Sequence, residues 1–168
     1  KKRHLIVCED GKSARAYFEA LRSHFKLDAT WVEIARGSHR TGPEQVVERA
    51  EALRKQAKLP ANSTLPFAKV WCVIDGDYGP KIRPAREAAA RHGLEIIVST
   101  PCFEYWLLLH FEDTSKSALN CDRLIGKSLK KHIPRYQKGS FDFSSIVDQA
   151  VQAADRARKH RRATEKST

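Results

Sequence analysis

Hydrophobic positions fall along the chain as short apolar runs alternating with longer stretches of helical period. The first run, Leu5-Ile6-Val7-Cys8, precedes a stretch in which Tyr17, Phe18, Leu21 and Phe25 recur at helical spacing, with Ser13 placed to cap it. Residues 30–35 alternate and are rich in β-formers. Thr41-Gly42-Pro43-Glu44 then reads as a capping box opening a helix that carries Val46, Val47, Ala50, Leu53 and Ala57. After a turn-rich connector over 60–66, the run Val70-Trp71-Cys72-Val73-Ile74 lacks alternation, which predicts a strand buried on both faces. Residues 83–92 predict an Ala-rich helix stopped by Gly93, 94–98 a fourth strand, and 103–111 a strongly apolar helix holding one acid, Glu104. From Ser115 onward the pattern is helical and basic, marked by Leu119, Leu124, Ile125 and Leu129, then by Ile146, Val147, Ala150, Val151 and Ala154.

Strands separated by helices predict an α/β fold, a parallel sheet flanked by helices with a small C-terminal helical extension. The pattern divides the chain into a core over 1–112 and a basic helical extension over 113–168. No internal repeat is present.

Charge changes the picture. Thirty-one Lys and Arg against 20 Asp and Glu leave a net charge of +11, which points to a polyanionic partner, nucleic acid above all. The run Arg156, Arg158, Lys159, Arg161, Arg162 and Lys166 reads either as a solvated helix end or as a nucleic-acid contact. No apolar run approaches the roughly 20 residues that span a bilayer, and Leu5-Ile6-Val7-Cys8 is too short for a signal sequence, so no membrane role is expected. The four cysteines, Cys8, Cys72, Cys102 and Cys121, form no CxxC pair, which predicts thiols and a cytoplasmic location. A start at Lys1-Lys2-Arg3 with no Met predicts a piece of a longer gene product.

The candidate chemistry lies in acids that follow strands. Glu9 ends the first apolar run and Asp75-Gly76-Asp77 ends the third. In a parallel sheet these ends open on one edge, where carboxylates repel one another unless a hard cation such as Mg²⁺ neutralises them. Asp-Gly-Asp alone is equally a polar turn; pairing with Glu9 favours the metal reading. Asp75 and Asp77, two apart in extended backbone, are expected to project to the same side. Glu9 is then a further ligand or a general acid/base. Glu104, in the first turn of its helix, is either a fourth metal-site carboxylate or a complement to the helix dipole. Gly11-Lys12-Ser13 lacks the earlier Gly of a P-loop, since Ile6 stands there, so an NTPase is excluded. Lys12 at a helix N-terminus reads as a phosphate contact or a solvated lysine, and Arg36 and Arg40 with His39 as phosphate contacts or a solvated basic loop after the second strand. His110, among apolar residues, reads as structural.

On these residues the chain resembles the RloB-like proteins, which carry a divergent Toprim domain. The matches are Leu5-Ile6-Val7-Cys8-Glu9 with Lys12 and Tyr17-Phe18, then Asp75-x-Asp77, then Thr100-Pro101-Cys102-Phe103-Glu104-Tyr105-Trp106-Leu107-Leu108-Leu109-His110-Phe111. Tyr136-Gln137-Lys138 is similar to a further family element. The resemblance implies a Toprim-like core over 1–112 that binds Mg²⁺, with Mn²⁺ as substitute, through Glu9, Asp75, Asp77 and Glu104. It also implies phosphodiester cleavage of DNA or RNA in anti-phage defence, with an ABC-type ATPase as partner. One departure is plain: the family's first motif reads Cys-Glu-Gly-Glu-Lys-Thr-Glu, whereas Asp10, Gly11 and Ala14 stand where Gly, Glu and Glu are expected. The competing readings are a catalytically impaired module that binds nucleic acid or a partner ATPase, and a phosphotransferase acting on small nucleotides. A topoisomerase is not expected, since no second domain supplies a transesterifying Tyr.

Overall fold

The computed structural model describes residues 2–9, 11–37, 42–57, 65–115 and 120–165. Asp10, His39, Arg40, Thr41, Pro60, Leu119 and Lys166 lie outside the described residues, and the expectations attached to them with them. Four strands, β1 (Arg3–Cys8), β2 (Val32–Arg36), β3 (Phe67–Asp75) and β4 (Glu95–Ser99), form one sheet in the order β2-β1-β3-β4. Every pairing is parallel. Helices α1 (Ser13–His24), α2 (Pro43–Ala57) and α3 (Ile82–His92) make the crossovers that parallel strands require.

Alternation along the central strands sends side chains to two cores. Leu5 and Val7 of β1 and Val70, Cys72 and Ile74 of β3 pack with Val46, Val47 and Ala50 of α2 and Ala85 and Ala89 of α3. Cys8 and Val73 point the other way, onto Tyr17 of α1 and onto α4 (Phe103–Leu108). β3 is thus buried on both faces, as its unbroken apolar run predicts. Gly93 ends α3 at φ 63°, a left-handed C-cap that costs a residue with a Cβ about 1 kcal/mol.

The second core continues into the extension. Leu124, Leu129, Ile133, Tyr136, Phe143, Ile146 and Val147 share one cluster with Tyr17, Phe103 and Leu107. The extension is less regular than its sequence pattern. α5 (Cys121–Leu124) runs into one π-helical turn, Ile125–Leu129, and then α6 (Lys130–His132), and only α7 (Ala150–Glu165) is long. Val151, expected in the core, is 63% exposed, because Ala150 and Ala153 form the buried side of α7. Phe25 is likewise exposed at the end of α1, beyond the part of the helix that rests on the sheet. Cys8 and Cys72 are buried thiols in β1 and β3, but Cys102 and Cys121 form a disulfide, contrary to the expectation of four thiols. Their separation of 19 residues hides the pair from any local motif, while the fold brings their Cα atoms to 5.8 Å. Among the described residues no helix is long and apolar enough to cross a membrane.

Candidate functional site

β1 and β3 are neighbours, yet the chain leaves β1 toward β2 on one side and β3 toward β4 on the other. Such a switch point opens a crevice at the carboxyl ends of the two strands, where open α/β sheets bind ligands. Glu9 follows β1 directly, and its N–H donates to the Val73 carbonyl at 3.0 Å. Asp75 is the last residue of β3, and its N–H donates to Glu9 Oε2 at 3.0 Å. The Tyr78 hydroxyl donates to Glu9 Oε1 in a short hydrogen bond, and the Phe103 N–H at the start of α4 donates to Asp75 Oδ1 at 2.8 Å.

Burial, reinforced by the charges of Glu9 and Glu104, pushes the Asp75 carboxyl up to about 7, against the opposing pull of the Phe103 N–H and Lys138. The Tyr78 phenol is also raised, first by burial and then by its bond to Glu9 and the charges of Glu9, Asp77 and Asp75. Asp75 therefore lies within electrostatic reach of Glu9 and Glu104, and Tyr78 within reach of Glu9, Asp75 and Asp77. The backbone does not stay extended from Asp75 to Asp77. The chain turns at Gly76 into a 3₁₀ segment, Gly76–Lys81, and Asp77 stands exposed on its first turn. Gly76 is required there: a Cβ would lie 2.3 Å from Thr100 Oγ1 and 2.7 Å from Thr100 Cα.

Glu104 is 1% exposed, which a mere complement to a helix dipole would not be. Tyr136 donates to its Oε1 at 2.8 Å and Ser13 at 3.3 Å, and Lys138 Nζ lies 3.4 Å from Oε2. Cys121 Sγ is 3.6 Å from Oε2 as a contact only, since a disulfide sulfur carries no proton. A buried carboxylate persists only when paired and hydrogen-bonded, and here the C-terminal extension supplies both. Ser13 is consequently not the expected cap. Lys12 holds the N-cap position, and the Ser13 hydroxyl turns inward to Glu104 and to Tyr136 at 3.0 Å.

Two of the three candidate phosphate contacts fall beside this edge. Lys12 is exposed at the start of α1 and Arg36 at the end of β2, with the Arg36 side chain lying over Gly11, where a Cβ would come within 2.8 Å of its Cδ. Gly139 packs on the Lys12 stem, a Cβ there reaching 3.2 Å, so Lys12 and Lys138 approach from opposite segments. Arg40 and His39 lie outside the described residues. His110 is structural: Nδ1 faces the Trp106 carbonyl at 3.0 Å and therefore carries the proton, leaving Nε2 to accept from Tyr17 at 2.9 Å. Burial lowers its pKa, in keeping with a neutral ring.

Reasoning from residue patterns missed Tyr78, Ser13 as a Glu104 partner, and the roles of Tyr136 and Lys138. The last two carried a signal only through the similarity of Tyr136-Gln137-Lys138 to a family element. Comparison with known families decides the affiliation: the RloB-like protein family model matches residues 4–168. The chain belongs to the RloB-like protein family. No curated protein and no solved structure matches it. In this RloB-like chain a Cβ at Gly11 would displace the exposed end of the Arg36 side chain, which lies over it.

The donors at this edge are hard carboxylate oxygens, the type that suits Mg²⁺ or Mn²⁺. Burial is the main cause that pushes the Asp75 carboxyl up to about 7, and the added contributions of Glu9 and Glu104 mark negative charge that a divalent cation would offset. Cys102, Glu104 and Cys121 also bring ligand atoms within 4.8 Å of one another, but the two sulfurs are bonded to each other.

Proposed function

We propose that this RloB-like protein is a metal-dependent nuclease of Toprim type that cleaves phosphodiester bonds in DNA or RNA, serving anti-phage defence in prokaryotes. The observation that carries the reading is the convergence of Glu9 and Asp75 at the switch point, with Asp77 on the adjoining turn and Glu104 beneath. Glu9, Asp75 and Asp77 would hold Mg²⁺ or Mn²⁺, which supplies Lewis-acid stabilisation of charge at phosphorus and a more acidic bound water.

The chain's own groups do the rest. Lys12 and Arg36 stand where a substrate phosphate would approach, at the start of α1 and the end of β2, and a helix N-terminus favours an anion there. Lys138 offsets the negative field at Asp75 and Glu104 and is positioned to follow charge as it develops on the leaving oxygen. Tyr78 fixes the Glu9 carboxylate, and Tyr136 and Ser13 fix Glu104, so neither acid needs to reorganise during the reaction. An ABC-type ATPase as partner and a cytoplasmic setting belong to the same reading through the family.

The test is incubation of purified protein with labelled DNA and RNA pools in Mg²⁺ or Mn²⁺, with EDTA as control. Cleavage that requires metal and disappears in Glu9→Gln and Asp75→Asn supports the reading. Binding without cleavage under every condition sinks it in favour of a binding module.

A further inference from the structure

One large feature takes no part in the site just described. An open groove of 660 Å³ runs between the free edge of β4, the α1 and α4 layer and the last described turns of α7. Five consecutive residues, 96–100, line it. Side chains alternate across a strand, so an unbroken run means that the groove follows the edge of β4 that no described strand pairs. Its floor is aromatic, with Phe18, Tyr105 and Trp106 partly exposed, and its rim is cationic, with Arg86 from α3 and Arg158 and Arg161 from α7.

We propose that this groove is a track for single-stranded nucleic acid leading to the carboxylate edge. Aromatic faces accept bases of any identity, arginines beside them take the phosphates, and a strand edge offers N–H and C=O groups to base edges. The track ends where the proposed chemistry begins, since Ser99 pairs in register with Asp75 and Thr100 packs on Gly76. In this last respect it rests on the nuclease reading. The groove is of the size that takes a drug-sized molecule, so it admits a few unpaired nucleotides and no duplex. An acidic peptide would meet the same cations, but it would use neither the row of rings nor the adjacency to Asp75. The Arg158–Asp155 ion pair, 59% and 70% exposed, is too solvated to hold Arg158 from a phosphate.

The experiment is fluorescence anisotropy of the full chain in EDTA, where no cleavage occurs, using labelled single strands of about twelve nucleotides and the matching duplexes. Single strands are expected to bind more tightly than duplex. Arg158→Ala with Arg161→Ala should weaken that binding at least tenfold and flatten the log–log salt dependence by about 1.4, two phosphates at about 0.7 each. Ile97→Glu, a change at a 46% exposed position of the strand edge, should weaken it comparably without unfolding the chain. Lys130→Glu with Lys131→Glu, outside the groove, is the control for diffuse charge. Equal loss in the control, indifference to the groove variants, or displacement of the oligonucleotide by poly-glutamate would overturn the proposal. Failure here with metal-dependent cleavage intact removes the track alone; groove-dependent binding without cleavage removes the nuclease.

Discussion

Asp75→Asn should stabilise the metal-free protein, and the gain should depend on pH. The Asp75 carboxyl is raised from 3.8 to about 7, mainly by burial and next by Glu9. Below about pH 4 both native and unfolded chains hold the proton, and nothing is lost. Between about 4 and 7 the unfolded chain ionises and the native one does not, so wild-type stability falls as pH rises. At pH 8 the deficit approaches about 4 kcal/mol at most, roughly three units at about 1.4 kcal/mol each, and partial solvation of the site argues for about half that. Asparagine keeps an Oδ1 to accept from the Phe103 N–H and has no charge to bury. Urea denaturation in EDTA at steps from about pH 4 to 8 should show the variant overtaking wild type with rising pH. Millimolar Mg²⁺ should then reverse the order, stabilising wild type by RT ln(1 + [L]/Kd), about 2.7 kcal/mol at a hundredfold excess, and leaving the variant unmoved. A difference between the two proteins that is flat with pH, or a wild type indifferent to Mg²⁺, refutes the reasoning.

Glu9→Gln and Asp77→Asn should each abolish cleavage with the far-UV circular dichroism unchanged, and combining them should add little, because ligands of one site fail together. Glu104→Gln should cost about 1–3 kcal/mol of stability by leaving Lys138 without its buried partner, and cleavage should fall as far as in Asp77→Asn. Intact cleavage in that variant removes Glu104 from the site. Gly76→Ala should lower stability by about 1–3 kcal/mol, since the new methyl meets the Thr100 backbone as well as its hydroxyl. An unchanged thermal melt would mean that the turn has room the geometry denies it.

Much of the fold was legible because its signals are local. The unbroken run over 70–74, the left-handed Gly93 and the apolar period of α2 each report their own neighbourhood. The placement of Glu9 and Asp75 was legible for a topological reason, since acids that follow strands of a parallel sheet share an edge whatever the strand order. What was hidden depends on distance along the chain. Ser13 has the signature of a cap, and only the approach of Tyr136, 123 residues away, turns its hydroxyl inward. Lys138 is one more lysine in a basic sequence until the fold sets it 3.4 Å from Glu104. The extended backbone expected between Asp75 and Asp77 was not borne out, because the chain turns into a 3₁₀ segment at Gly76 and two-residue alternation holds only in extended backbone.

The contribution of the extension to the buried surroundings of Glu104 also sets an order of events during synthesis. A nascent chain that has emerged as far as α4 already carries Glu9, Asp75, Asp77 and Glu104, but it lacks Tyr136 and Lys138. Until those residues leave the ribosome, the Tyr17 and Phe103 face is uncovered and Glu104 has neither its tyrosine donor nor its ammonium. The surroundings of Glu104 are therefore completed only after the Glu9–Asp75 contact can already form. A polypeptide terminated before Tyr136 should keep the Glu9–Asp75 contact and leave Glu104 without its tyrosine and lysine partners.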